Sequence, residues 1–249
     1  MYALITGASS GIGYEFATKL ANCGYDLILV SRRENRLNEL KNKLNCKCVV
    51  IPLDLTSNKA IDELILKIST LDIKLVINNA GFGECGYFLE TDISKEESMI
   101  DLNVKAMYLL FKKMAQRMND GYILNVASIA GLLPGGAYMS QYYATKAYVT
   151  SLTLGVSEEL RQRKSKLHVG CLCPGPVNTE FNDVANVKFA LKGISSEKCV
   201  SYALKKIKKN KTIIIPGFTI RMANLFSRFV PKKMLIKIVS HQQKKKIKE

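Results

Sequence analysis

A chain of 249 residues with 47% apolar and 23% charged composition is long enough for one sizeable domain around a single core. A mean hydropathy of +0.03 excludes both a disordered chain and a membrane-embedded one, and no apolar run reaches the roughly 18 residues that span a bilayer. The net charge of +16 is lopsided: residues 205–249 carry 14 Lys/Arg against one acid, Glu249, while the first 204 residues carry 23 basic and 20 acidic groups.

Tyr2-Ala3-Leu4-Ile5-Thr6 reads as a strand, with no charged leader before it, so a cytoplasmic protein is expected. A helix is predicted over Ile12–Cys23, a strand over Leu27–Ser31 and a helix over Asn35–Leu44. The pattern repeats with strand Cys48–Leu53, helix Ala60–Leu71 and strand Leu75–Asn78. A long helix follows over Ser98–Met118, then strand Tyr122–Ser128 and a second long helix over Gln141–Arg161. Leu167–Leu172 and Thr212–Ile215 are further strands. Short β-branched runs separated by helices of ten or more residues imply βαβ units. The expected fold is one α/β domain over residues 1–217, a doubly wound parallel sheet of about seven strands with helices on both faces.

Beyond Pro216-Gly217, residues 218–249 read as a basic helical extension rather than an independent domain. Phe218, Met222, Leu225, Phe226 and Phe229 lie along one helical stripe that Pro231 ends. Met234, Leu235, Ile238 and Val239 continue an apolar face among lysines, and Lys244–Glu249 is expected to fray. Three readings fit: a flap over a substrate cleft, peripheral contact with an anionic membrane, or docking of an acidic carrier or nucleic acid. The near-neutral first 204 residues argue against nucleic acid. Seven cysteines, an odd number, include two C-x-C pairs, Cys46/Cys48 and Cys171/Cys173, in β-like runs. Zinc sites space paired cysteines by two to four residues, so these read as strand cysteines and no metal is expected.

The functional signal begins at the first turn, Thr6-Gly7-Ala8-Ser9-Ser10-Gly11-Ile12-Gly13. Glycines permit a tight turn and let backbone N–H groups approach a phosphate at a helix N-terminus. Later come Asp54-Leu55, Asn78-Asn79-Ala80-Gly81, Asn103, Ser128, Tyr142-x-x-x-Lys146 and Pro174-Gly175-Pro176-Val177-Asn178-Thr179. In this order and spacing, residues 1–215 resemble the short-chain dehydrogenase/reductase family. The resemblance implies a Rossmann-type fold and a nicotinamide cofactor held by Gly7, Ser9, Ser10, Gly11, Ile12, Gly13, Asp54, Leu55, Asn79, Ala80, Gly81, Val177 and Thr179, with Tyr142 and Lys146. It also implies a homodimer or homotetramer built on the two long helices.

The second strand ends Val30-Ser31-Arg32-Arg33, without the acid that would bind a ribose diol. Two guanidinium groups can instead grip a 2′-phosphate, so NADP(H) is expected rather than NAD(H). Tyr142 and Lys146, four apart, share one helix face. A nearby ammonium favours the phenolate, which suits a general acid/base. Tyr143 points about 100° away and has no lysine four residues on, and Tyr138 precedes the helix. Ser128 is expected to polarise the substrate oxygen, its plainer role being a turn cap. The resemblance implies that Lys146 holds the nicotinamide ribose and that Asn103 holds a relay water; Asn103 could instead be a buried helix-kink asparagine. The interval from Ser128 to Tyr142 is one residue longer than the family's usual spacing, which places the extra residue in Leu133–Ala137.

The expected activity is NADP(H)-dependent interconversion of a carbonyl and an alcohol on a small, hydrophobic molecule. A 3-oxoacyl carrier reductase and a hydroxysteroid-type dehydrogenase are alternatives, as is a protein of another class that senses NADP(H) without turnover or binds a membrane. The segment Phe181–Ser196, where such enzymes shape the pocket, opens with Phe181–Val187, which is mixed in polarity and names no substrate.

Overall fold

The computed structural model describes residues 1–57, 59–181, 185 and 193–244. Six aliphatic runs form strands β1 (Tyr2–Thr6), β2 (Asp26–Ser31), β3 (Cys48–Pro52), β4 (Ile73–Asn78), β5 (Asp120–Val126) and β6 (Lys166–Leu172). A short pair, β7 (Val177–Asn178) and β8 (Ile194–Ser195), stands apart, and β9 (Ile213–Ile214) completes the main sheet. The seven-stranded sheet is parallel throughout, in the order β3-β2-β1-β4-β5-β6-β9. This is the doubly wound Rossmann-type arrangement the sequence predicts.

Side chains alternate across a strand, so each strand feeds two cores. Leu4, Ile28, Val76 and Ile123 face one layer, where α3 (Ala60–Lys67), α5 (Met107–Arg117) and α6 (Ser140–Gln162) contribute Leu64, Phe111, Met114 and Val149. Ala3, Ile5, Leu29 and Ile77 face the other, against Phe16, Leu20, Leu37, Leu40 and Val200. Those last five come from α1 (Gly11–Asn22), α2 (Glu34–Lys43) and α7 (Ser196–Ile207).

Several boundaries differ from expectation. The helix predicted over Ser98–Met118 starts earlier, as α4 (Ile93–Ile100), because the Asp92 carboxylate accepts from the Ser94 N–H and caps it. It passes through a π-helical turn, Asp101–Ala106, before α5. The helix predicted to Leu71 stops at Lys67, and the strand predicted to Ser128 stops at Val126. Ser128 instead caps a 3₁₀ turn, Ile129–Leu132, accepting from the Ala130 N–H. The extension forms two helices, α8 (Phe218–Ser227) and α9 (Lys232–Lys244). The expected stripe is not the packed face of α8. Ile220 meets Gly175 and Asn224 is buried, whereas Phe218, Leu225, Phe226 and Phe229 are exposed. Cys171 and Cys173 are buried, Cys46 and Cys48 half-buried, and all four are free thiols. Of Phe181–Val187, only Phe181 and Ala185 lie within the described residues, and in the terminal run only Lys244 does.

Candidate active site

The strand order reverses between β1 and β4, and ligands of open α/β sheets bind at the carboxyl ends beside such a switch. A cleft of about 920 Å³ opens there. Its floor is the glycine loop. Gly7 and Gly11 have φ of 65° and 55°, a left-handed conformation that glycine alone adopts without strain. A Cβ at Gly13 would lie 2.2 Å from the Gly7 carbonyl oxygen, so α1 can approach β1 only through a glycine. The Thr6 hydroxyl accepts from the Asn79 and Ala80 N–H groups, at 2.9 Å each, and the Asn79 amide donates to the Thr6 carbonyl at 2.9 Å. These bonds tie the ends of β1 and β4 together beneath the switch. At the N-cap of α1, Ser10 makes no side-chain cap bond, leaving the first-turn N–H groups to meet an anion.

All the sequence-predicted site residues line this cleft except Gly13 and Asn103, which stand behind its wall. Arg33 lies over the loop: its guanidinium donates to Ser9 Oγ at 3.0 and 3.1 Å, to Ser10 Oγ at 2.7 Å and to Glu180 at 2.9 Å. Arg36 shares Glu180 at 2.5 Å. These arginines hold the Glu180 carboxyl below its ordinary value. Arg32 is 72% exposed and only 3.8 Å from Asp54, whose carboxylate is occupied by Thr56. Thr179 packs over Gly11 from the far side. The glycines, the open amides and this arginine–serine cluster fit a dinucleotide phosphate cradle.

Deeper in the cleft, Ser128 lies beside Tyr142 and favours its phenolate, against the larger effect of burial. Ser128 is thus both a turn cap and a neighbour of Tyr142. The Lys146 Nζ lies 5.8 Å from the Tyr142 ring centre and donates to the Val126 carbonyl at 3.0 Å. Both side chains are buried. The sequence leads to a tyrosine shifted toward working pH; instead, burial pushes Tyr142 up to about 12 and brings Lys146 down to about 8. Desolvation penalises both charged forms and outweighs an ammonium aimed at the Val126 carbonyl.

Asn103 sits in the π turn, and its side chain is fully engaged. Its carbonyl oxygen accepts from the Phe82 N–H at 3.0 Å, and its amide donates to the Phe82 carbonyl at 2.8 Å and to Thr145 at 3.2 Å. A Cβ at Gly81 would fall 2.7 Å from Asn103 Oδ1 and 3.3 Å from Lys146 Nζ, so Gly81 is what lets this strap pass between them.

Three participants escaped the sequence reading. Glu180 bridges to residues 147 and 144 positions away. Tyr143, the rejected rival, also lines the cleft, and its hydroxyl accepts from Gln243 of α9. No local pattern marks either contact. Tyr138, by contrast, stacks edge-on against Tyr87.

The family model for short chain dehydrogenases matches residues 1–190. An uncharacterised oxidoreductase of Staphylococcus epidermidis is 32% identical over 188 residues, covering 73% of this chain and 80% of its own. Among solved structures, a short-chain dehydrogenase from Sphingobium yanoikuyae in complex with NADPH aligns with a TM-score of 0.81 at 30% identity, over 92% of this chain and 93% of that one. A short-chain dehydrogenase/reductase from Burkholderia phymatum in complex with NAD has a TM-score of 0.82 at 23% identity, over 90% and 91%. No helix among the described residues is long and apolar enough to cross a membrane.

Proposed function

The chain belongs to the short-chain dehydrogenase family, and from that premise we propose that it is an NADP(H)-dependent oxidoreductase that reduces the carbonyl of a hydrophobic ketone, or runs the reverse reaction. The observation that carries this reading is the Ser128–Tyr142 hydroxyl pair with buried Lys146 beside it, inside the cleft that the glycine loop floors.

The nicotinamide cofactor, when bound, supplies the hydride equivalent. The chain's own residues handle the oxygen. Tyr142, a neutral phenol at pH 7, donates a proton to the carbonyl oxygen as charge develops on it, and Ser128 hydrogen-bonds the same oxygen. Lys146, still an ammonium at pH 7, adds positive potential beneath the pair and has N–H bonds left over for ribose hydroxyls. Asn103 acts as a positioning residue that fixes the Gly81–Phe82 strap. Arg33, with Ser9, Ser10 and Arg32 around it, supports a 2′-phosphate and hence NADP(H). The cleft wall beyond Tyr142 is apolar, with Leu133, Met139, Phe181, Leu235 and Val239, which supports a hydrophobic substrate. A sensor without turnover would need the glycine loop alone and gives no reason to bury Lys146.

We further propose peripheral contact with anionic membrane as a property of the extension. Phe218, Phe226, Phe229, Met234 and Ile238 are all about half exposed or more, beside Arg228, Lys232, Lys233 and Lys237. Exposed Tyr108, Tyr148 and Leu154 on α5 and α6 support a homo-oligomer through those helices.

The deciding experiment is NADPH oxidation against a panel of ketones with wild type and Tyr142→Phe. Turnover is expected to fall by roughly 10² to 10⁴. Wild-type turnover by Tyr142→Phe would overturn the scheme.

A further inference from the structure

Most of the cleft beyond Tyr142 is apolar, and among the polar groups that interrupt it one pair is buried. Gln243, in the last turn of α9, lines the cleft and is only 5% exposed. Its Nε2 donates to the Tyr143 hydroxyl at 2.5 Å. Its Oε1 is buried and has no hydrogen-bond partner among the described residues. Around the pair pack Met99, Ala130, Met139 and Val239, with Ala185. A buried carbonyl oxygen left unpaired loses its hydration for no return, and such orphans in native folds call for a specific explanation. Leucine or methionine would fill the same volume in this apolar setting without that loss.

The pair's remaining hydrogen-bonding capacity identifies what is missing. The Tyr143 hydroxyl accepts from Gln243 and keeps its own proton to donate. Gln243 Oε1 accepts. Besides the second N–H of Gln243, a donor on Tyr143 and an acceptor on Gln243 therefore stand side by side. An alcohol hydroxyl answers both at once, donating to Gln243 and accepting from Tyr143. A carboxylate would set its charge against Gln243 Oε1, and Lys95, which also lines the cleft, is engaged by Glu84 at 3.1 Å. An ammonium would leave the Tyr143 proton unanswered. Burial also keeps Tyr143 in its proton-bearing form by raising its pKa.

We propose that Gln243 and Tyr143 form a hydroxyl-binding subsite, so that the substrate is an apolar ketone carrying an alcohol group at a second position. The inference rests on the carbonyl-reductase reading above. Successive residues of α6 serve the two ends of such a molecule: Tyr142 meets the reacting carbonyl, and Tyr143, rotated by about 100°, meets the remote hydroxyl. The extension would then contribute specificity, not only cover.

The test uses the full chain as wild type, Gln243→Leu and Tyr143→Phe. The probes are decalone with its isomeric hydroxydecalones, and androstanone with its isomeric hydroxyandrostanones, assayed with NADPH. Wild type is expected to prefer at least one hydroxylated ketone over its parent by about tenfold in kcat/KM, a ratio that collapses toward one in both variants. Without ligand, Gln243→Leu is expected to melt no lower than wild type. A ratio unchanged in Gln243→Leu for every pair would overturn the subsite. So would a lower melting temperature, which would make Gln243 a structural strut. If wild type reduces the parent ketones but shows no hydroxyl preference, only the subsite fails. If it reduces none of them, the reductase reading fails first.

Discussion

Lys146 can be tested by removing it. Its ammonium is buried beside Tyr142, and one hydrogen bond, to the Val126 carbonyl, is evident. A value lowered from 10.5 to about 8 by burial corresponds to about 3 kcal/mol against the charged form. Lys146→Met keeps the length of the side chain and removes the charge, at the loss of about 1 kcal/mol for the hydrogen bond. The substitution is therefore expected to stabilise the cofactor-free protein by about 2 kcal/mol at pH 7. For a chain of this length that raises the melting temperature by roughly 4–8 °C. The pH dependence gives a sharper check. Below pH 8 the folded protein holds the buried charge and carries the whole penalty. Between pH 8 and 10.5 the folded state gives up its proton while the unfolded state keeps it, so wild-type stability rises relative to the variant. Above 10.5 the advantage of methionine is gone and only the lost hydrogen bond remains. Thermal denaturation of both proteins from pH 7 to 10.5 would measure this, with NADPH-dependent turnover expected to collapse in the variant. A variant that melts below wild type at pH 7 would refute the view that Lys146 is held at a cost to stability.

Further outcomes are expected for the cofactor site and for the extension. Arg33→Ala should weaken NADPH binding by roughly 10- to 100-fold, the loss of charge-assisted bonds to a phosphate, and leave NADH nearly unaffected. Arg32→Ala should do less, because that side chain is 72% exposed; equal NADPH affinity in wild type and Arg33→Ala by fluorescence titration would remove the NADP(H) assignment. Full-length protein should co-sediment with phosphatidylserine liposomes but not with phosphatidylcholine ones, less so at high salt. The exposed-site double variant Phe226→Ser, Phe229→Ser should bind less; undiminished binding would discount the extension.

How much of this was legible beforehand follows from the range of the interactions. The strands were readable because a buried parallel strand needs an aliphatic run, and each run sits between helices that the sequence also marks. The glycine loop was readable because close approach leaves room for no other residue: a Cβ at Gly13 would overlap the Gly7 carbonyl. The unread features are those whose partners lie far apart or whose sign depends on burial. Glu180 meets Arg33 only after the sheet is wound, and Gln243 reaches Tyr143 across 100 residues. The π turn leaves Leu102-Asn103-Val104 looking like ordinary helix. The stripe on α8 follows the helical period, yet docking used the neighbouring face because Ile220 fits against Gly175, where a side chain would have blocked it.

The pKa values make the same point. Spacing alone put an ammonium one turn from a phenol and argued for a lowered tyrosine. Burial reversed the sign, because the helix face that brings Lys146 to Tyr142 also takes both out of water. The result is a neutral phenol above an ammonium at pH 7, which supports the proposed proton donation to a carbonyl oxygen. A desolvated lysine and a glutamine oxygen unpaired among the described residues are each unfavourable for folding, and both side chains line one cleft. A fold with two extensive cores can carry such costs, and local choices that contradict stability tend to mark where function is held. Gln243 belongs to that set by the same physical criterion as Lys146, although no sequence motif points to it.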